Sequence, residues 1–498
     1  MEIHGQHDRA RLLAAAPENL GSATAGSRRW FALALVAAAF FMGVLDSTSV
    51  YTALPTIALE LSFSPGAIQW VITAYGITVA GLLLLGGRLA DRLGRRRVFL
   101  TAVGVFAAAS VLCGLAWSSD VLVAARVVQG AGAAILTPAG LSILMTIFAE
   151  GRDRNRALGV WGGLGGMGAT AGLMLGGPIT DGLGWSWIFW VNVPVCVGVL
   201  ALGPVLLPES RARGRSFDVA GAVAITAALV LIVYALSTVP GRGWWAFHTA
   251  GPAVAALVLL AVFVAIEARS GAPLVPLRLF RSKVLVGGNL VMLIAGMSVD
   301  GLLIILTLYA QRVLGYSAIQ FGMAMVVMTL VSVGAVIVGQ HLVTRLGLRL
   351  VASGGMTLIG LACLLLTQVP LDGRFVGDLL VGLLIFGVGM GAAFVASQIA
   401  ALTGVADHES GLASGIEETS FAIGTTLGVA LASAVAVAHA DRLIDAGAAT
   451  AVAETEGFRF AFGVLAGVTV LGVIAALTLL GRSQSTRGEQ AGYPKAMS

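Results

Sequence analysis

The chain has 498 residues, of which 58% are hydrophobic and 11% are charged. This composition excludes a water-soluble globular protein, because the apolar surface exceeds what a soluble core can bury. The formal net charge of +5 does not require a nucleic-acid partner, since arginine in cytoplasmic loops accounts for it. The sequence therefore predicts an all-α polytopic membrane protein that binds no nucleic acid.

Fourteen apolar runs of a length that can cross a bilayer follow a polar N-terminal segment. Residues 1–30 lack the cleavage pattern of a signal peptide and are predicted to form a cytoplasmic tail. A second tail is predicted at 482–498. In chain order the runs lie at 31–54, 66–86, 98–116, 121–148, 157–180, 187–207, 217–238, 250–267, 285–310, 318–341, 349–368, 376–403, 413–438 and 458–481.

The orientation of the runs follows from the positions of arginine and lysine. Residues 86–97, between the second and third runs, contain five arginines and are predicted to lie in the cytoplasm. With the N-terminus inside, the inner segments hold 24 basic residues and the outer segments hold five. We therefore predict a multi-pass protein of the cell inner (cytoplasmic) membrane with both termini in the cytoplasm.

The chain divides at a charged linker that contains prolines. The predicted parts are an N-terminal bundle at 31–210, a transmembrane hairpin at 211–268, a cytoplasmic linker at 269–284 and a C-terminal bundle at 285–481. An internal repeat supports this division, because residues 90–96 recur as residues 343–349 and the spacing of Gly168, Gly172 and Gly176 recurs at Ser420, Gly424 and Gly428. Repeats of this kind predict a substrate site at the membrane midplane between the two halves.

Three ionisable residues inside apolar runs are candidates for proton coupling. A carboxylate at the depth of Asp46 costs several kcal/mol unless it is paired or faces water, and Arg126 lies at a comparable depth. Because desolvation favours the neutral form of a carboxyl group, Asp46 can bind a proton. Asp300 lies where the repeat relates it to Asp46. The alternatives are a polar packing residue for Asp46, a permanent Asp46–Arg126 ion pair, and an unrelated polar position for Asp300.

Further side chains are predicted to line the substrate cavity together with Asp46 and Asp300. Glu417 and Glu418 begin the thirteenth run, where adjacent helical residues point about 100° apart and only one can face a cavity. Tyr75 and Trp161 lie in apolar runs. The alternatives are a helix-end position for each glutamate and contact with lipid or core for each aromatic ring.

Two motifs are candidates for a role in the conformational change of the transport cycle. In the fifth run, Gly168, Gly172 and Gly176 lie on one face, and small residues four positions apart let helix backbones touch. In the loop after the second run, a cluster of glycines and charges can latch an inner gate, with a purely topological role as the alternative. This gating cluster comprises Gly87, Asp91, Arg92, Gly94, Arg95 and Arg96.

These stretches together resemble the major facilitator superfamily, and within it the fourteen-span drug:proton antiporters. Residues 87–97 are similar to the superfamily signature in the 2–3 loop, 122–132 to the span-4 motif whose arginine is implicated in proton coupling, and 45–55 to the subfamily motif of span 1. Residues 185–194 and 311–317 are similar to further subfamily stretches. The resemblance implies two six-helix bundles with an inserted hairpin, 14 transmembrane helices in all.

The resemblance also identifies the fifth run as the antiporter helix, with departures from the usual pattern. Ala169 and Leu173 stand where prolines usually follow Gly168 and Gly172, and the proline is displaced to Pro178. Glu418 occupies a position where the family tends to have asparagine. An extra acid at this position predicts altered cargo or an altered number of protons.

The function that these features predict is proton-coupled export of lipophilic compounds, cationic ones included, by alternating access. Such a multidrug antiporter confers antibiotic resistance, is no enzyme, and needs no metal or cofactor because the proton gradient supplies the energy. Its partners would be a small-molecule substrate, protons and the lipid bilayer, with the chain acting as a monomer. One alternative is a dedicated exporter of a single metabolite or self-made antibiotic. A membrane sensor or enzyme is disfavoured, since the six histidines are scattered and no loop can hold a domain.

Overall fold

The described part of the chain is helical and contains no β-strand. The computed structural model describes residues 18–64, 66–148, 152–210, 219–270, 273, 277–403, 405 and 410–481. The α-helices are α1 Glu18–Glu60, α2 Trp70–Leu93, α3 Arg95–Gly114, α4 Ser119–Ile147, α5 Arg152–Leu183, α6 Ser186–Trp190, α7 Asn192–Leu206, α8 Val219–Arg242, α9 Phe247–Arg269, α10 Lys283–Leu308, α11 Ala318–Leu346, α12 Leu348–Leu366, α13 Leu380–Leu402, α14 Ser410–Asp445 and α15 Thr450–Leu479. A 3₁₀ helix (Leu277–Arg281) and two π-helical turns (Tyr309–Val313 and Phe375–Leu379) complete the described structure.

Each of the fourteen predicted runs falls on a helix, with α6 and α7 sharing the sixth run. Among the described residues, eleven helical stretches are long and apolar enough to cross a membrane. Shorter apolar stretches lie in α2 (Trp70–Leu83) and α8 (Val223–Leu236). The predicted all-α membrane fold is confirmed, whereas the count of fourteen spans stays a prediction. Residues 1–17 and 482–498 of the two predicted tails lie outside the described residues.

Contacts divide the chain into two compact units. Unit 1 comprises residues 1–230, 258–274 and 316–323. Within it, α1 packs against α5 and α7, and α3 and α4 pack against each other. Fully buried Phe99 and Phe106 of α3 contribute to a large apolar core, with Leu136 and Leu144 of α4. Burial of these rings and aliphatic chains fixes the helices that carry the polar residues described below.

Unit 2 comprises residues 231–257, 275–315 and 324–498. Its main pairs of packed helices are α10 with α14, α12 with α13 and α12 with α15. Fully buried Ile359, Phe386 and Phe462 belong to its core. The helices α8 and α9 of the predicted hairpin are each shared between the two units. The predicted limits of the bundles and the hairpin stay predictions.

The repeated loop motif has the same backbone role in both units. Gly94 separates α2 from α3, and Gly347 separates α11 from α12. Their φ angles are 111° and 83°, values that residues with a Cβ atom rarely adopt. Each glycine therefore lets one helix end and the next begin within a single residue.

The repeat extends to contacts between helices. Gly130 of α4 touches the carbonyl oxygen of Tyr75 in α2, and Gly387 of α13 touches that of Met328 in α11. Likewise, Gly132 contacts Phe106 in unit 1, and Gly389 contacts Ile359 in unit 2. A third pair of contacts joins Gly86 to Ala134 and Gly339 to Gly391. Positions in α2 and α3 thus correspond to positions 253 residues later, and positions in α4 to positions 257 residues later.

Candidate functional site

A buried ion pair lies within unit 1, between α1 and α4. The Nη1 atom of Arg126 donates to Oδ2 of Asp46 at 2.7 Å, and the two side chains are 1% and 0% exposed. Taking two charges out of water costs several kcal/mol per ion unless additional hydrogen bonds satisfy the remaining polar atoms. Such a pair can persist only within a larger network of hydrogen bonds.

Gln129 joins the two members of the pair. It follows Arg126 by three residues, so both side chains extend from the same face of α4. Its Oε1 accepts from Arg126 Nη1 at 2.6 Å, and its Nε2 donates to Asp46 Oδ1 at 2.9 Å. The same Nε2 donates to Ser110 Oγ of α3 at 2.9 Å. One amide therefore connects α1, α3 and α4.

Asn192 brings a further donor to the carboxylate. It is the first residue of α7, and Pro194 two positions later suits the start of a helix, where no backbone N–H is needed. Its Nδ2 donates to Asp46 Oδ1 at 2.7 Å and, more weakly, to Ser110 Oγ at 3.4 Å. Its Oδ1 is buried and makes no hydrogen bond with the described residues. We call Asp46, Ser110, Arg126, Gln129 and Asn192 the polar network.

Arg126 has partners besides Asp46. Its Nε donates to the carbonyl oxygen of Val71 in α2 at 2.9 Å. Its guanidinium carbon lies 4.2 Å from the ring centroid of Tyr75 and 5.7 Å from that of Phe189. Cation–π contacts of this kind contribute about 0.5–2 kcal/mol each. The guanidinium therefore stays partly satisfied when the charge on Asp46 changes.

The network converges on a single carboxylate. As a carboxylate, Asp46 accepts hydrogen bonds from Arg126, Gln129 and Asn192. Protonation removes the charge that these donors stabilise and adds a donor hydrogen to the same group. The members and their contacts lie on α1, α2, α3, α4, α6 and α7, so a change of charge at Asp46 would act on six helices of unit 1.

Asp300 lies in α10, within unit 2. Ser298 of the same helix is fully buried. Asp300 lies two residues further, about 200° around the helix, and is partly exposed. Its proposed part in proton coupling stays a prediction.

Glu417 and Glu418 differ in exposure, as expected for neighbours on a helix. Glu417 is 4% exposed, and its Oε1 makes no hydrogen bond with the described residues. Glu418 is exposed. One turn later, Ser420 donates to Asn289 Oδ1 of α10 at 2.9 Å. Both glutamates lie in unit 2, and a cavity role for either stays a prediction.

The two aromatic residues predicted to line a cavity both have packing partners in unit 1. Trp161 is buried and stacks on Phe40 with ring centroids 4.2 Å apart. Tyr75 lies under the guanidinium of Arg126. Both rings therefore contact the interior of unit 1, which is the alternative that the sequence left open for them. Their contribution to a cavity stays a prediction.

The glycines of α5 face α1 on both sides of Asp46. A Cβ atom at Gly172 would lie 2.6 Å from the carbonyl oxygen of Leu45, and one at Gly168 would lie 3.0 Å from Cβ of Val44. Gly176 touches α1 one turn further, at Ser49. Pro178 lies within α5 and is exposed. The backbone of α5 therefore touches α1 within one residue of Asp46.

The gating cluster contacts the ends of neighbouring helices in unit 1. Arg95 donates to Thr146 of α4, and Arg96 donates to the carbonyl oxygens of Pro204 and Leu207, at 3.1 and 3.2 Å, where α7 ends. In the same cluster, a Cβ atom added at Gly87 would lie 3.5 Å from Cβ of Pro138 in α4. Arg92 is exposed, and the side chain of Asp91 lies outside the described residues. The cluster thus ties helix ends together on one side of unit 1, whereas its latch function stays a prediction.

Comparison with known families agrees with this architecture. The family model described as Major Facilitator Superfamily matches residues 35–370 and 288–497. The chain belongs to the major facilitator superfamily. The predicted superfamily is thus confirmed, and this facilitator is a multi-pass membrane transporter of small molecules and not an enzyme.

Several curated relatives of this facilitator are named for antibiotics. It is 36% identical over 462 residues to the puromycin resistance protein pur8 of Streptomyces alboniger, covering 91% of this chain and 92% of the relative. It is 38% identical over 406 residues to the cephamycin export protein CmcT of Amycolatopsis lactamdurans, covering 80% and 83%. It is 32% identical over 472 residues to the tetracenomycin C resistance and export protein of Streptomyces glaucescens, covering 93% and 86%.

Solved structures share the fold of this facilitator at low sequence identity. A bacterial homologue of the human lysosomal transporter Spinster, in an inward-facing and unoccupied conformation, has a TM-score of 0.65 at 17% identity and covers 91% of this chain and 98% of its own. The POT family transporter PepTSo has a TM-score of 0.67 at 14% identity, with coverage of 89% and 98%. These similarities show the fold alone.

Sequence reasoning about this facilitator missed three members of the polar network. Ser110, Gln129 and Asn192 are fully buried. Their signal was the presence of polar side chains inside apolar runs, where an unsatisfied polar group is expensive. Gln129 and Asn192 lie within stretches that carried the family resemblance, but nothing in the one-dimensional sequence shows that both amides meet Asp46.

Proposed function

We propose that this facilitator is a proton-coupled antiporter that exports lipophilic drugs or antibiotics, cationic ones included. The observation that carries the proposal is the fully buried Asp46–Arg126 pair, held by two amide side chains. Relatives named for puromycin resistance, cephamycin export and tetracenomycin C export support the direction of transport. Asp46 is the proton-binding residue in this proposal, and Arg126 is its counter-ion.

Proton binding and substrate binding alternate in the proposed cycle. With the site open to the cytoplasm, Asp46 is ionised, paired with Arg126, and substrate binds. With the site open to the outside, a proton binds to Asp46, and Arg126 keeps Val71, Gln129 and Tyr75 as partners. Loss of the charge pair loosens the contacts of α1 with α4 and favours return to the inward-open state. The two bundles would rock about a midplane site.

Three acidic residues of unit 2 have a second role in the proposed cycle. Asp300, Glu417 and Glu418 would balance the positive charge of a cationic substrate or take a second proton. The buried carboxyl of Glu417 has an oxygen without a hydrogen-bond partner among the described residues, so it is the member of this group that would gain most from a cation or a proton.

Reconstitution into liposomes tests the proton role of Asp46. Substrate is loaded inside right-side-out proteoliposomes, and lumenal acidification is followed with a pH dye during export. We expect Asp46→Asn to lower proton-coupled export at least tenfold. Asp120→Asn is the matched control, because Asp120 is an exposed acid in the first turn of α4. Export and acidification by Asp46→Asn at the wild-type rate would refute the proposal.

A dedicated exporter of one antibiotic is the second candidate. It is favoured by the relatives, several of which are named for a single compound. Resistance profiles of cells that express the chain, over chemically diverse drugs, separate the two candidates. Protection against many scaffolds supports a multidrug exporter, and protection against one scaffold supports the dedicated exporter. An uncoupler that abolishes protection in either case identifies the proton gradient as the energy source.

A further inference from the structure

The surroundings of Asp46 are built for its ionised form. Three donors converge on the carboxylate, namely Arg126 Nη1 on Oδ2, and Gln129 Nε2 and Asn192 Nδ2 on Oδ1. A neutral carboxyl group has an O–H that needs an acceptor. A buried O–H without one loses the free energy of its hydrogen bond to water. Proton binding therefore requires an acceptor that the present arrangement does not direct at Asp46.

The neighbouring acceptors differ in what already occupies them. Gln129 Oε1 accepts from Arg126 Nη1 at 2.6 Å, so rotation of this amide would place an NH₂ group against a guanidinium. Ser110 Oγ donates to the carbonyl oxygen of Phe106 at 2.8 Å and accepts from Gln129. Asn192 Oδ1 is buried and has no hydrogen-bond partner among the described residues. Of these three oxygens, Asn192 Oδ1 alone can be turned toward Asp46 without losing a hydrogen bond that the oxygen itself makes, and the hydrogen bonds of Nδ2 are exchanged in the same rotation.

We infer that Asn192 is a positioning residue that rotates its amide when Asp46 takes up a proton, an inference that rests on the proposed function. In the ionised state, Nδ2 donates to the carboxylate. In the neutral state, Oδ1 accepts the O–H of Asp46. The proton enters from water on the outer side, forms one O–H bond on Asp46 and leaves to water on the cytoplasmic side. No other bond forms or breaks except hydrogen bonds.

The same geometry returns Asn192 to its first orientation after the proton leaves. Rotation would turn Oδ1 against an ionised carboxylate and remove the donor Nδ2, which now lies 2.7 Å from Oδ1 of Asp46. In the rotated state, the hydroxyl of Ser110 can exchange its hydrogen bond to the carbonyl oxygen of Phe106 for one to Oδ1, since the amide lies 3.4 Å from Ser110 Oγ. The rotated amide is therefore favoured only while Asp46 is neutral. Asn192 begins α7 beside the junction with α6 at Val191, so the rotation acts at a break between helices.

Infrared difference spectroscopy of the purified protein in lipid nanodiscs tests the inference. Spectra at acidic minus neutral pH show the C=O stretch of protonated carboxyl groups, and Asp46→Asn identifies the band of Asp46. We expect Asn192→Leu to shift this band to higher wavenumber, because the leucine side chain offers no acceptor. Asn289→Leu is the matched control, since Asn289 is a buried asparagine of unit 2 whose amide has partners at both ends. It should leave the band unmoved.

Export by the same variants gives a second readout. Asn192→Leu should lower the maximal rate about tenfold with little change in the KM of the substrate, because a buried carboxyl without an acceptor is costly. Asn192→Ser, which keeps a group that can donate and accept, should restore part of the rate and move the band back toward the wild-type position. If Asn192→Leu does not fold, Asn192→Ser still allows the position of the band and the export rate to be measured.

The outcomes separate the inference from the proposed function. A band that disappears in Asp46→Asn but stays at the wild-type position in Asn192→Leu and Asn192→Ser overturns the inference and leaves the proposed proton site intact. A difference spectrum that Asp46→Asn does not change overturns both. A band shift in Asn192→Leu that Asn289→Leu reproduces also overturns the inference.

Discussion

The two units solve the same packing problem with different chemistry. Unit 1 places Ser110, Arg126 and Gln129 where α3 and α4 face the interior. The corresponding positions of unit 2 are Cys363, Leu383 and Phe386, all fully buried. An apolar core at these positions is therefore sufficient to hold such helices together. The proposed function gives the buried charges of unit 1 a role that packing alone does not require at the corresponding positions of unit 2.

The glycine contacts show what the two units share. In unit 1, Gly172 and Gly176 of α5 touch the backbone of α1, and in unit 2, Gly424 and Gly428 of α14 touch the backbone of α10 at Leu293 and Met297. Close backbone approach is thus a property of both units. The difference between the units lies in charge and hydrogen bonding, not in the way the helices pack.

The largest effect is expected from Arg126→Leu. This change leaves the Asp46 carboxylate buried without its counter-ion, which costs about 3–5 kcal/mol of stability, and proton-coupled export should be lost. Thermal unfolding in detergent and export from proteoliposomes measure the two effects. Leu383→Met at the corresponding position of unit 2 is the control, with an expected cost below about 1.5 kcal/mol. Equal losses at the two positions would contradict the special status of unit 1.

The double variant Asp46→Leu/Arg126→Leu replaces the charged pair of unit 1 with apolar side chains, which makes this site resemble the apolar core of unit 2. Replacing both partners of a buried ion pair is often neutral or stabilising, so stability should return to within about 2 kcal/mol of the wild type. Coupled export should stay as low as in Arg126→Leu. Recovery of proton-driven export by the double variant would show that the pair is purely structural.

A smaller effect is expected at the contact of α5 with α1. Gly172→Ala places a methyl group against the carbonyl oxygen of Leu45 and should cost about 1–3 kcal/mol, with slower export because the helices are forced apart beside Asp46. Gly424→Ala should cost a similar amount in unit 2. Gly182→Ala is the control on α5, since no atom of the described residues lies within 4 Å of the position that the added methyl group would take. Unfolding midpoints of the three variants test the shared architecture.

The smallest effect is expected in the gating cluster. Arg96→Ala removes two hydrogen bonds to the carbonyl oxygens at the end of α7 and should cost about 1–2 kcal/mol. Arg349 occupies the corresponding position of unit 2 and makes no side-chain hydrogen bond with the described residues, so Arg349→Ala should cost less than about 0.5 kcal/mol. If both changes cost the same, the loop of unit 1 has no stronger structural role than its repeat.

The sequence by itself determined the class of the protein and the positions of its helices. Each predicted apolar run falls on a helix, because hydropathy and helix length are properties of consecutive residues. The loop repeat around Gly94 and Gly347 was also readable, because a backbone with positive φ selects glycine locally. The family followed from short motifs whose residues lie next to one another in the chain.

The tertiary structure alone decided which residues surround Asp46. The sequence offered Arg126 as a possible partner, but Ser110, Gln129 and Asn192 were not predicted, and Asn192 lies 146 residues away from Asp46. The repeat suggested that Asp300 matches Asp46, but Asp300 is partly exposed whereas Asp46 is fully buried. The physical reason is that a shift of one or two residues in helix register turns a side chain by about 100–200°. Only the packing of helices against one another fixes that register.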